Sequence, residues 1–369
     1  MEMARAAVYE GPNRLVVKEL PIPDIGPDDA LVEVDIAGVD GTEVHMFRGE
    51  VEAINKLAPV LFGDEIVGRV ARIGEAASKR RGLVEGDRVV VEARWPCNEC
   101  RPCRSGNYYL CDRREERGGY GWIRCDAPPY LWGGYSTHVY VPHEAQVFKV
   151  PENLPGHTAL VASSVLANAI YWTRMSGAGL GDTVAVLGPG PQGIGCAILA
   201  ARRGADVVIA GLPRDRRRLD LAERLSGAKA VVLAEDASQA GHRAALRDAF
   251  GGREVSVVIE TAGVQASKDL AAKLVRTDGR IVCCSIPARP LTVDFTGLLL
   301  NQISLISPFG HPDTVGQSLD LGARLLQDGR DIGDMITHVF PLDEAELAVR
   351  TAGYETTETP IKVVIRPNG

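Results

Sequence analysis

The chain contains 369 residues, and because a single hydrophobic core stops growing at roughly 250 to 300 residues, two domains are expected. A net charge of −7 and a sequence pI near 5.6 argue against nucleic acid and anionic membranes as partners, since both select basic surfaces. No apolar run approaches the roughly 20 residues that span a bilayer and the N-terminus lacks an apolar signal core, so the sequence predicts a soluble, cytoplasmic protein that acts on a small molecule.

The N-terminal part of the chain, to about Val150, predicts an antiparallel or barrel-like β region. Short β-rich segments there are interrupted by Gly and Pro, which end strands. The predicted strands include Ala30–Ile36, Ile66–Ile73, Arg88–Glu92 and Gly134–Val141.

Four cysteines crowd into one polar loop of this region, at Cys97, Cys100, Cys103 and Cys111. The spacing C-x-x-C-x-x-C-x7-C lets four thiolates converge tetrahedrally on one Zn²⁺, and because four thiolates close the coordination shell, such a zinc is structural. The Pro and Gly residues of the loop supply turns but few hydrophobic contacts, so the loop needs the metal to order it. Four free cysteines and an iron–sulfur cluster are alternatives, but the loop is polar and the usual cluster spacings differ.

From about Thr183 the pattern changes to apolar strands that alternate with helix-like stretches. This alternation predicts a parallel sheet with crossover helices. The predicted strands are Thr183–Leu187, Asp206–Ala210, Ala230–Leu233, Val255–Glu260, Arg280–Ser285 and Ile303–Ser307. After a helix-like run, Thr314–Asp328, two short β-like pieces, Thr337–Phe340 and Lys362–Ile365, are candidates to rejoin the first domain.

A glycine-rich motif, GPGPQG, follows the first of these strands and opens a helix-like run. It comprises Gly188, Gly190, Pro191, Gln192 and Gly193. The first glycine permits a tight turn, the second lets the backbone approach a pyrophosphate, and the third allows close helix packing, while the helix N-terminus receives the negative charge. In this strand-to-helix context the motif predicts a dinucleotide site.

The end of the second strand indicates which dinucleotide is bound. An NAD site usually places an acid there to bind the ribose hydroxyls, but this chain has Gly211. The guanidinium groups of Arg214 and Arg216, which follow, suit a 2′-phosphate, so NADP is favoured and NAD stays possible. The alternative is that these arginines form the solvated first turn of a helix that begins at Asp215.

Together these features resemble the zinc-dependent alcohol dehydrogenase branch of the medium-chain dehydrogenase/reductase superfamily, over nearly the whole chain. The resemblance is carried, in the family's order and spacing, by Gly38–His45, Gly63–Val70, the GDRVVV run from Gly86, the four-cysteine loop and GPGPQG. It implies an α/β fold in which a Rossmann domain with a doubly wound parallel sheet is inserted in a GroES-like β-barrel catalytic domain. It also implies a homodimer or homotetramer.

The expected domain boundaries follow from this arrangement. Residues 1–153 form the catalytic domain, which includes the zinc loop 97–111. Residues 154–298 form the dinucleotide-binding domain. Residues 299–369 supply the last Rossmann strand and then return to the catalytic domain.

The catalytic zinc ligands of the family are replaced in this chain. The first position, usually Cys, is Asp40, and the usual Gly-His-Glu reads Gly63, Asp64 and Glu65. The third ligand position falls near Ser164, next to Ser163, and neither hydroxyl is a good zinc ligand. The remaining oxygen-only set, Asp40, Asp64 and Glu65, does not suit borderline-soft Zn²⁺, so loss of the catalytic zinc is favoured over its retention.

Two residues match the proton relay of the family, in which a hydroxyl at the substrate passes a proton to an outer imidazole. They are Thr42 and His45. We hypothesise that Asp40 and Asp64 supply a proton in place of zinc, since repulsion between two nearby carboxylates in a partly dry site keeps one of them protonated. The alternatives are that Thr42 caps a helix, that His45 is a surface residue and that both aspartates are inert.

Three functional hypotheses follow. The first is hydride transfer between NADP(H) or NAD(H) and a small alcohol or carbonyl compound. The second is reduction of an activated C=C or C=N bond with a side-chain acid instead of zinc. The third is a redox-silent nucleotide-binding protein that has kept only the scaffold.

Overall fold

A computed structural model of the chain describes residues 2–114, 118–287 and 289–369. The chain divides into two compact units. Unit 1 contains Met1–Ser164 and Val315–Gly369, and unit 2 contains Val165–Thr314. The division inferred from the sequence, at 153/154 and 298/299, remains a prediction.

Unit 1 is built mainly from antiparallel sheets. Its strands, numbered along the whole chain, are β1 (Met3–Gly11), β2 (Arg14–Pro21), β3 (Ala30–Val39), β4 (Val60–Leu61), β5 (Ile66–Ile73), β6 (Arg88–Val91), β7 (His138–Val141), β8 (Val147–Lys149), β15 (Ile336–Pro341) and β16 (Lys362–Arg366). One sheet has the order β2-β1-β4, and the larger one has the order β15-β16-β3-β5-β6-β8, with β7 also paired to β3. The antiparallel pairing of β16 with β3 brings the C-terminal segment back to the first domain, as predicted.

The core of unit 1 lies between these strands. The side chains of β3 are almost all buried, and aromatic side chains from three separate segments meet beside it. The rings of Tyr9 and Phe62 stack with centroids 4.8 Å apart, and Tyr135 meets Phe62 edge to face at 6.3 Å. Burial of each such ring stabilises the unit by about 1.5–3 kcal/mol. This packing fixes the segments on which the carboxylates described below lie.

Helices and short helical turns complete unit 1. The α-helices are Gly41–Phe47, Glu52–Leu57, Glu75–Arg81, Arg101–Arg104, Gly156–Val161, Val315–Gln327 and Ala345–Ala352. The 3-10 turns are Tyr108–Leu110, Ile332–Met335 and Leu342–Glu344, and a π-helical segment spans Ala162–Leu166.

Unit 2 is a six-stranded parallel sheet with crossover helices, so the predicted α/β fold is confirmed. Its strands are β9 (Thr183–Leu187), β10 (Asp206–Gly211), β11 (Lys229–Val232), β12 (Val255–Glu260), β13 (Val275–Cys283) and β14 (Ser304–Ile306), in the order β11-β10-β9-β12-β13-β14. Its helices are Ala167–Ser176, Pro191–Arg202, Arg216–Ser226, Gln239–Ala249, Gln265–Leu274 and Phe295–Leu300, with a 3-10 turn at Pro213–Asp215. β9 and β12 are buried along their whole length, as expected for strands covered on both faces.

The strand order places a topological switch point between β9 and β12. From β9 the chain runs outward through β10 and β11, and it then returns to the other side of β9 through β12, β13 and β14. Ligands of doubly wound sheets bind at the carboxyl ends of strands at such a point. Within the described part of the chain, no helix is both long and apolar enough to cross a bilayer.

Candidate functional site

The four cysteines of the predicted zinc loop converge in unit 1. The Sγ atoms of Cys97, Cys100, Cys103 and Cys111 all lie within 4.8 Å of one another. The pairs Cys97–Cys103 and Cys100–Cys111 are 3.8 and 3.9 Å apart, and a tetrahedral zinc with Zn–S bonds of about 2.3 Å places its sulfurs about 3.8 Å apart. The donor set therefore fits a structural zinc.

One of these thiols is poised to ionise. The backbone N–H of Cys100 donates to the sulfur of Cys97 at 3.4 Å, and this contact, together with the backbone N–H of Glu99 and the neighbouring thiols, lowers the pKa of Cys97 to about 6. A metal must displace the thiol protons, so a lowered pKa assists loading at neutral pH.

The residue at the family's first zinc position, Asp40, caps the helix Gly41–Phe47. Its Oδ1 accepts a hydrogen bond from the backbone N–H of Glu43 at 2.9 Å, and the Glu43 Oε2 accepts one from the backbone N–H of Asp40 at 3.1 Å. This reciprocal arrangement is a capping box, which satisfies two donors at the helix start. It also fixes two carboxylates side by side.

Glu43 is buried and connects the helix start to the segment that contains Asp64. Its Oε1 accepts a hydrogen bond from the backbone N–H of Gly63, and its Oε2 accepts one from the Tyr135 hydroxyl, both at 2.7 Å. Gly63 has φ +96°, and a Cβ there would lie 2.8 Å from the backbone of Tyr135. Only glycine therefore fits this approach.

Two acidic side chains of this cluster have raised pKa values. Burial, and then the charges of Asp40 and Asp64, raise the pKa of Glu43 well above its ordinary value. Burial, and then the charges of Asp40 and Glu65, likewise raise the pKa of Asp64 well above its ordinary value. Asp40 and Asp64 keep partial solvent access, whereas Glu43 does not. Asp64 therefore combines a raised pKa with partial exposure to solvent.

The fourth carboxylate, Glu65, is held by a cation from the far end of the chain. The Lys362 Nζ lies 2.8 and 2.6 Å from its two oxygens and donates to the Val39 carbonyl at 3.0 Å. Burial alone would lower the pKa of Lys362, but Glu65 and Asp40 raise it above the ordinary value, so the lysine stays charged. Glu65 is therefore engaged within the protein.

The residues that the resemblance implies for the catalytic zinc positions bind groups of the protein itself or remain separate carboxylates. The hydroxyls of Ser163 and Ser164 both donate to the Leu160 carbonyl, at 3.0 and 2.9 Å, so neither is turned toward a metal. In the residues that the structure describes, the four-cysteine cluster alone brings three or more potential ligand atoms together. Asp40, Asp64 and Glu65 are neighbours, but they do not form a coordination sphere.

The two proposed relay residues lie three positions apart on the helix Gly41–Phe47, which places them on one face. Thr42 and His45 are both partly exposed. The imidazole Nδ1 of His45 contacts a carboxylate oxygen of Glu50. A carboxylate on Nδ1 orients the ring and supports the positive charge that a relay would bring to it.

The glycine motif in unit 2 has the geometry of a phosphate-binding turn. Gly188 has φ +104°, and a Cβ on Gly193 would lie 1.9 Å from the Gly188 carbonyl oxygen. Gly190 caps the helix Pro191–Arg202, whose first turn includes Gln192. The Gln192 Oε1 is buried without a hydrogen-bond partner among the described residues, so a polar acceptor is left for a ligand. These features fit a dinucleotide.

The segment after β10 provides cations near the same edge of the sheet. A Cβ on Gly211 would lie 2.6 Å from the Pro189 ring, so glycine is required there. Asp215 accepts a hydrogen bond from the backbone N–H of Leu212 at 3.0 Å and so closes the turn. Arg216 pairs with Asp220 at 2.8 Å as an exposed helix residue. Arg214 is exposed and has no side-chain partner among the described residues, so it is the better candidate for a phosphate.

Sequence reasoning missed three contributors to the acidic cluster: Glu43, Tyr135 and Lys362. The role of Glu43 could have been predicted, because the D-x-x-E spacing from Asp40 predicts a capping box. Tyr135 and Lys362 gave no such signal, since they lie 92 and 297 residues from Glu43 and Glu65, the side chains they bind.

Comparison with known proteins finds matches over most of the chain. Residues 26–152 match the family model of the alcohol dehydrogenase GroES-like domain, and residues 192–324 match that of the zinc-binding dehydrogenases. A probable alcohol dehydrogenase of Mycobacterium tuberculosis H37Rv is 38% identical over 76% of this chain and 75% of its own length.

Two solved structures share the fold. The crystal structure of an alcohol dehydrogenase from Thermotoga maritima superposes with a TM-score of 0.86 at 29% identity, over 100% of both chains. A Sinorhizobium meliloti protein, described as a zinc-binding dehydrogenase and bound to NADP, gives a TM-score of 0.81 at 25% identity, over 100% of both chains.

Proposed function

Because the chain belongs to the alcohol dehydrogenase-like branch of the medium-chain dehydrogenase/reductase superfamily and is an oxidoreductase, we propose that it transfers a hydride between NADP(H) and a small alcohol or carbonyl compound, without a catalytic metal. The observation that carries the proposal is the partly exposed side chain of Asp64, whose pKa is raised by burial and by the charge of neighbouring Asp40, next to buried Glu43. The family resemblance implies that Asp64 stands at a zinc-ligand position. A protonated acid can do at a carbonyl oxygen what a Lewis acid does, since both stabilise the negative charge that develops there.

The proton path is argued from the side chains of unit 1. Asp64 has a raised pKa and is partly accessible, so in this proposal its protonated form donates to a carbonyl oxygen during reduction and its ionised form accepts the proton again during oxidation. The capping box holds Asp40 beside Asp64. The negative charge of Asp40 raises the pKa of Asp64 and so opposes loss of the Asp64 proton. Thr42 and His45 provide a route for protons to solvent. The cofactor, when bound, supplies or accepts the hydride.

The cofactor is proposed to be NADP(H), with NAD(H) as a weaker ligand. Gly188, Gly190 and Gly193 form the pyrophosphate turn, Gln192 offers an unpaired amide oxygen, and Arg214 offers a free guanidinium for the 2′-phosphate. The related Sinorhizobium meliloti protein binds NADP, which supports the assignment.

Metal analysis of the purified enzyme tests the proposal. We expect about one zinc per chain, lost in Cys103→Ser and kept in the matched Cys125→Ser, whose cysteine lies in the core of the same unit. Turnover of carbonyl substrates with NADPH should not rise when zinc is added. About two zinc ions per chain, with turnover proportional to the second, would contradict a metal-free site.

Transfer of deuterium from labelled NADPH identifies the bond that is reduced. We expect the label on the carbinol carbon of an alcohol product. A label on a saturated carbon of an activated alkene, or on the carbon of an amine, would replace this proposal with C=C or C=N reduction. No transfer to any member of a substrate panel would support the redox-silent hypothesis instead.

A homodimer or homotetramer is also proposed. The helix Phe295–Leu300 exposes Phe295, Leu299 and Leu300 by 71 to 79%, and the neighbouring β14 pairs with β13 on one side only among the described residues. An apolar patch beside an unpaired strand edge is a self-association surface. Light scattering coupled to size-exclusion chromatography measures the state, and a monomer at all concentrations would refute it.

A further inference from the structure

A fully buried carboxylate lies at the carboxyl end of β12, in unit 2. The side chain of Glu260 is 0% exposed. Its Oε1 accepts hydrogen bonds from the backbone N–H groups of Ala262 and Gly263, at 2.9 and 2.8 Å, and from the Ser267 hydroxyl at 2.6 Å. The loop that follows β12 is therefore folded around this carboxylate.

The second oxygen of Glu260 connects to another strand end. Its Oε2 accepts hydrogen bonds from Lys268 Nζ at 2.6 Å and from the Ser285 hydroxyl at 2.7 Å, and Lys268 Nζ also lies 3.2 Å from that hydroxyl. Burial alone would raise the pKa of Glu260, but the hydrogen bonds from Lys268, Ser267 and Ser285 bring it below its ordinary value. The Glu260 carboxylate thus remains charged, and both of its oxygens accept hydrogen bonds from groups of the protein.

This network joins three loops at one edge of the sheet. Gly263, at φ +72°, approaches Ser285 so closely that a Cβ would lie 3.2 Å from the serine Cβ. The Thr261 hydroxyl donates to the Gly188 carbonyl at 2.8 Å, which ties the loop after β12 to the glycine turn after β9. Glu260 therefore sets the relative positions of the loops after β9, β12 and β13.

The strand order indicates which half of a dinucleotide these loops face. A dinucleotide lies across the carboxyl ends of the strands, with its pyrophosphate at the glycine turn after β9. Its adenosine ribose belongs to the end of the second strand, β10, beside Gly211 and Arg214. Because β12 and β13 lie on the opposite side of β9, the loops held by Glu260 face the other half, which carries the nicotinamide.

We propose that Glu260 and Lys268 are positioning residues for the nicotinamide half of the cofactor. They hold the loops after β12 and β13 in the shape that receives the nicotinamide mononucleotide before it arrives. The inference rests on the proposed use of NADP(H). It assigns no chemical step to either residue, since both side chains bind groups within the protein.

Comparison of two ligands tests this proposal, because adenosine 2′,5′-bisphosphate carries the adenosine half of NADPH alone. Isothermal titration of Ser285→Ala and Glu260→Gln should show Kd for NADPH raised about fivefold or more, the loss expected when hydrogen bonds that order a loop are removed. Kd for adenosine 2′,5′-bisphosphate should stay within about twofold of the wild type. Ser285→Ala leaves the ion pair of Glu260 with Lys268 intact, so it still tests the proposal if the Glu260 variant fails to fold.

Glu223→Gln is the matched control. Its carboxylate also accepts a backbone N–H, from Ala230 at 2.9 Å, but at the opposite edge of the same sheet, so both affinities should match the wild type. Equal weakening of both ligands in Ser285→Ala, or no weakening of NADPH, would overturn the positioning role while leaving the proposed function intact. A wild-type protein that binds neither ligand would overturn the proposed function, and this inference with it.

Discussion

At the residue scale, the proposed function depends on Asp64, which the family resemblance places at a zinc-ligand position. The pKa of Asp64 is raised by burial and by the neighbouring charges of Asp40 and Glu65, whereas Arg94 and Lys362 oppose that effect. Glu65 is engaged by Lys362 in an ion pair. Asp64 combines partial exposure with a raised pKa, so it is the side chain that we propose to exchange a proton with the substrate.

Replacement of this acid by an amide measures its part in turnover. Asp64→Asn should lower kcat for carbonyl reduction by about 10²- to 10⁴-fold, the usual contribution of a positioned acid or base, and leave the Kd for NADPH unchanged. Asp24→Asn is the matched control, because Asp24 is exposed and lies outside the cluster. Unchanged turnover in Asp64→Asn would mean that the aspartates are inert replacements.

The pH dependence follows from the direction of the same shift. Reduction needs the protonated acid, and the pKa of Asp64 is raised, so kcat for reduction should fall as pH rises through that raised pKa, at a higher pH than an ordinary aspartate would allow. An ordinary aspartate, ionised above about pH 4, would instead have lost its activity before neutrality. Single-turnover rates with preformed enzyme–NADPH complex distinguish these profiles.

At the scale of elements, the short helix Gly41–Phe47 organises the candidate site. Seven residues form a marginal helix in water, so the capping box of Asp40 and Glu43 matters to its stability. The same two side chains are two of the four carboxylates in the acidic cluster. Glu43 also accepts a hydrogen bond from the backbone N–H of Gly63, which links the helix start to that segment. Stability of the helix and geometry of the site therefore depend on common contacts.

Substitution at the cap separates these two roles. Asp40→Ala removes the oxygen that accepts the Glu43 N–H and should lower the free energy of unfolding by about 0.5–2 kcal/mol. Asp40→Asn keeps an accepting oxygen and should lose much less, although it removes the charge beside Asp64. Urea unfolding of the two variants gives the comparison, and equal losses would show that the cap contributes nothing.

At the scale of the whole molecule, the described part of unit 1 contains two carboxyl groups whose pKa values folding raises. Glu43 and Asp64 both have raised pKa values in the folded chain and ordinary values, near roughly 4, when unfolded. Above that pH the unfolded chain binds fewer protons than the folded one. The stability contributed by the protonated state is therefore present at low pH and is lost as pH rises toward the folded pKa values.

A pH series of unfolding experiments checks this linkage. The free energy of unfolding should decline from mildly acidic to alkaline pH, and Asp64→Asn should make that decline shallower, because it removes one of the linked protons. Tryptophan fluorescence suits the measurement, since Trp95, Trp122 and Trp132 lie in unit 1 and only Trp172 lies in unit 2. Parallel slopes for the two proteins would contradict the assignment of a proton to Asp64.

The sequence by itself determined whatever depends on local spacing. The cysteine spacing predicted the convergence of four thiols, because a short loop fixes their separation. The alternation of apolar strands with helix-like stretches predicted the parallel sheet. The spacing of the glycines predicted the turn at Gly188. Both patterns are set by the backbone geometry of neighbouring residues. The family resemblance also predicted that Asp40 and Asp64 replace metal ligands, and this stays a prediction.

Only the tertiary structure decided which side chains meet these carboxyl groups. Lys362 reaches Glu65 because β16 pairs with β3, and Ser285 reaches Glu260 because β13 lies beside β12. The raised pKa of Asp64 likewise depends on burial and on charges from neighbouring segments. Contacts across 297 residues, and the local dielectric environment, arise from packing of the whole chain, so no single stretch of sequence encodes them.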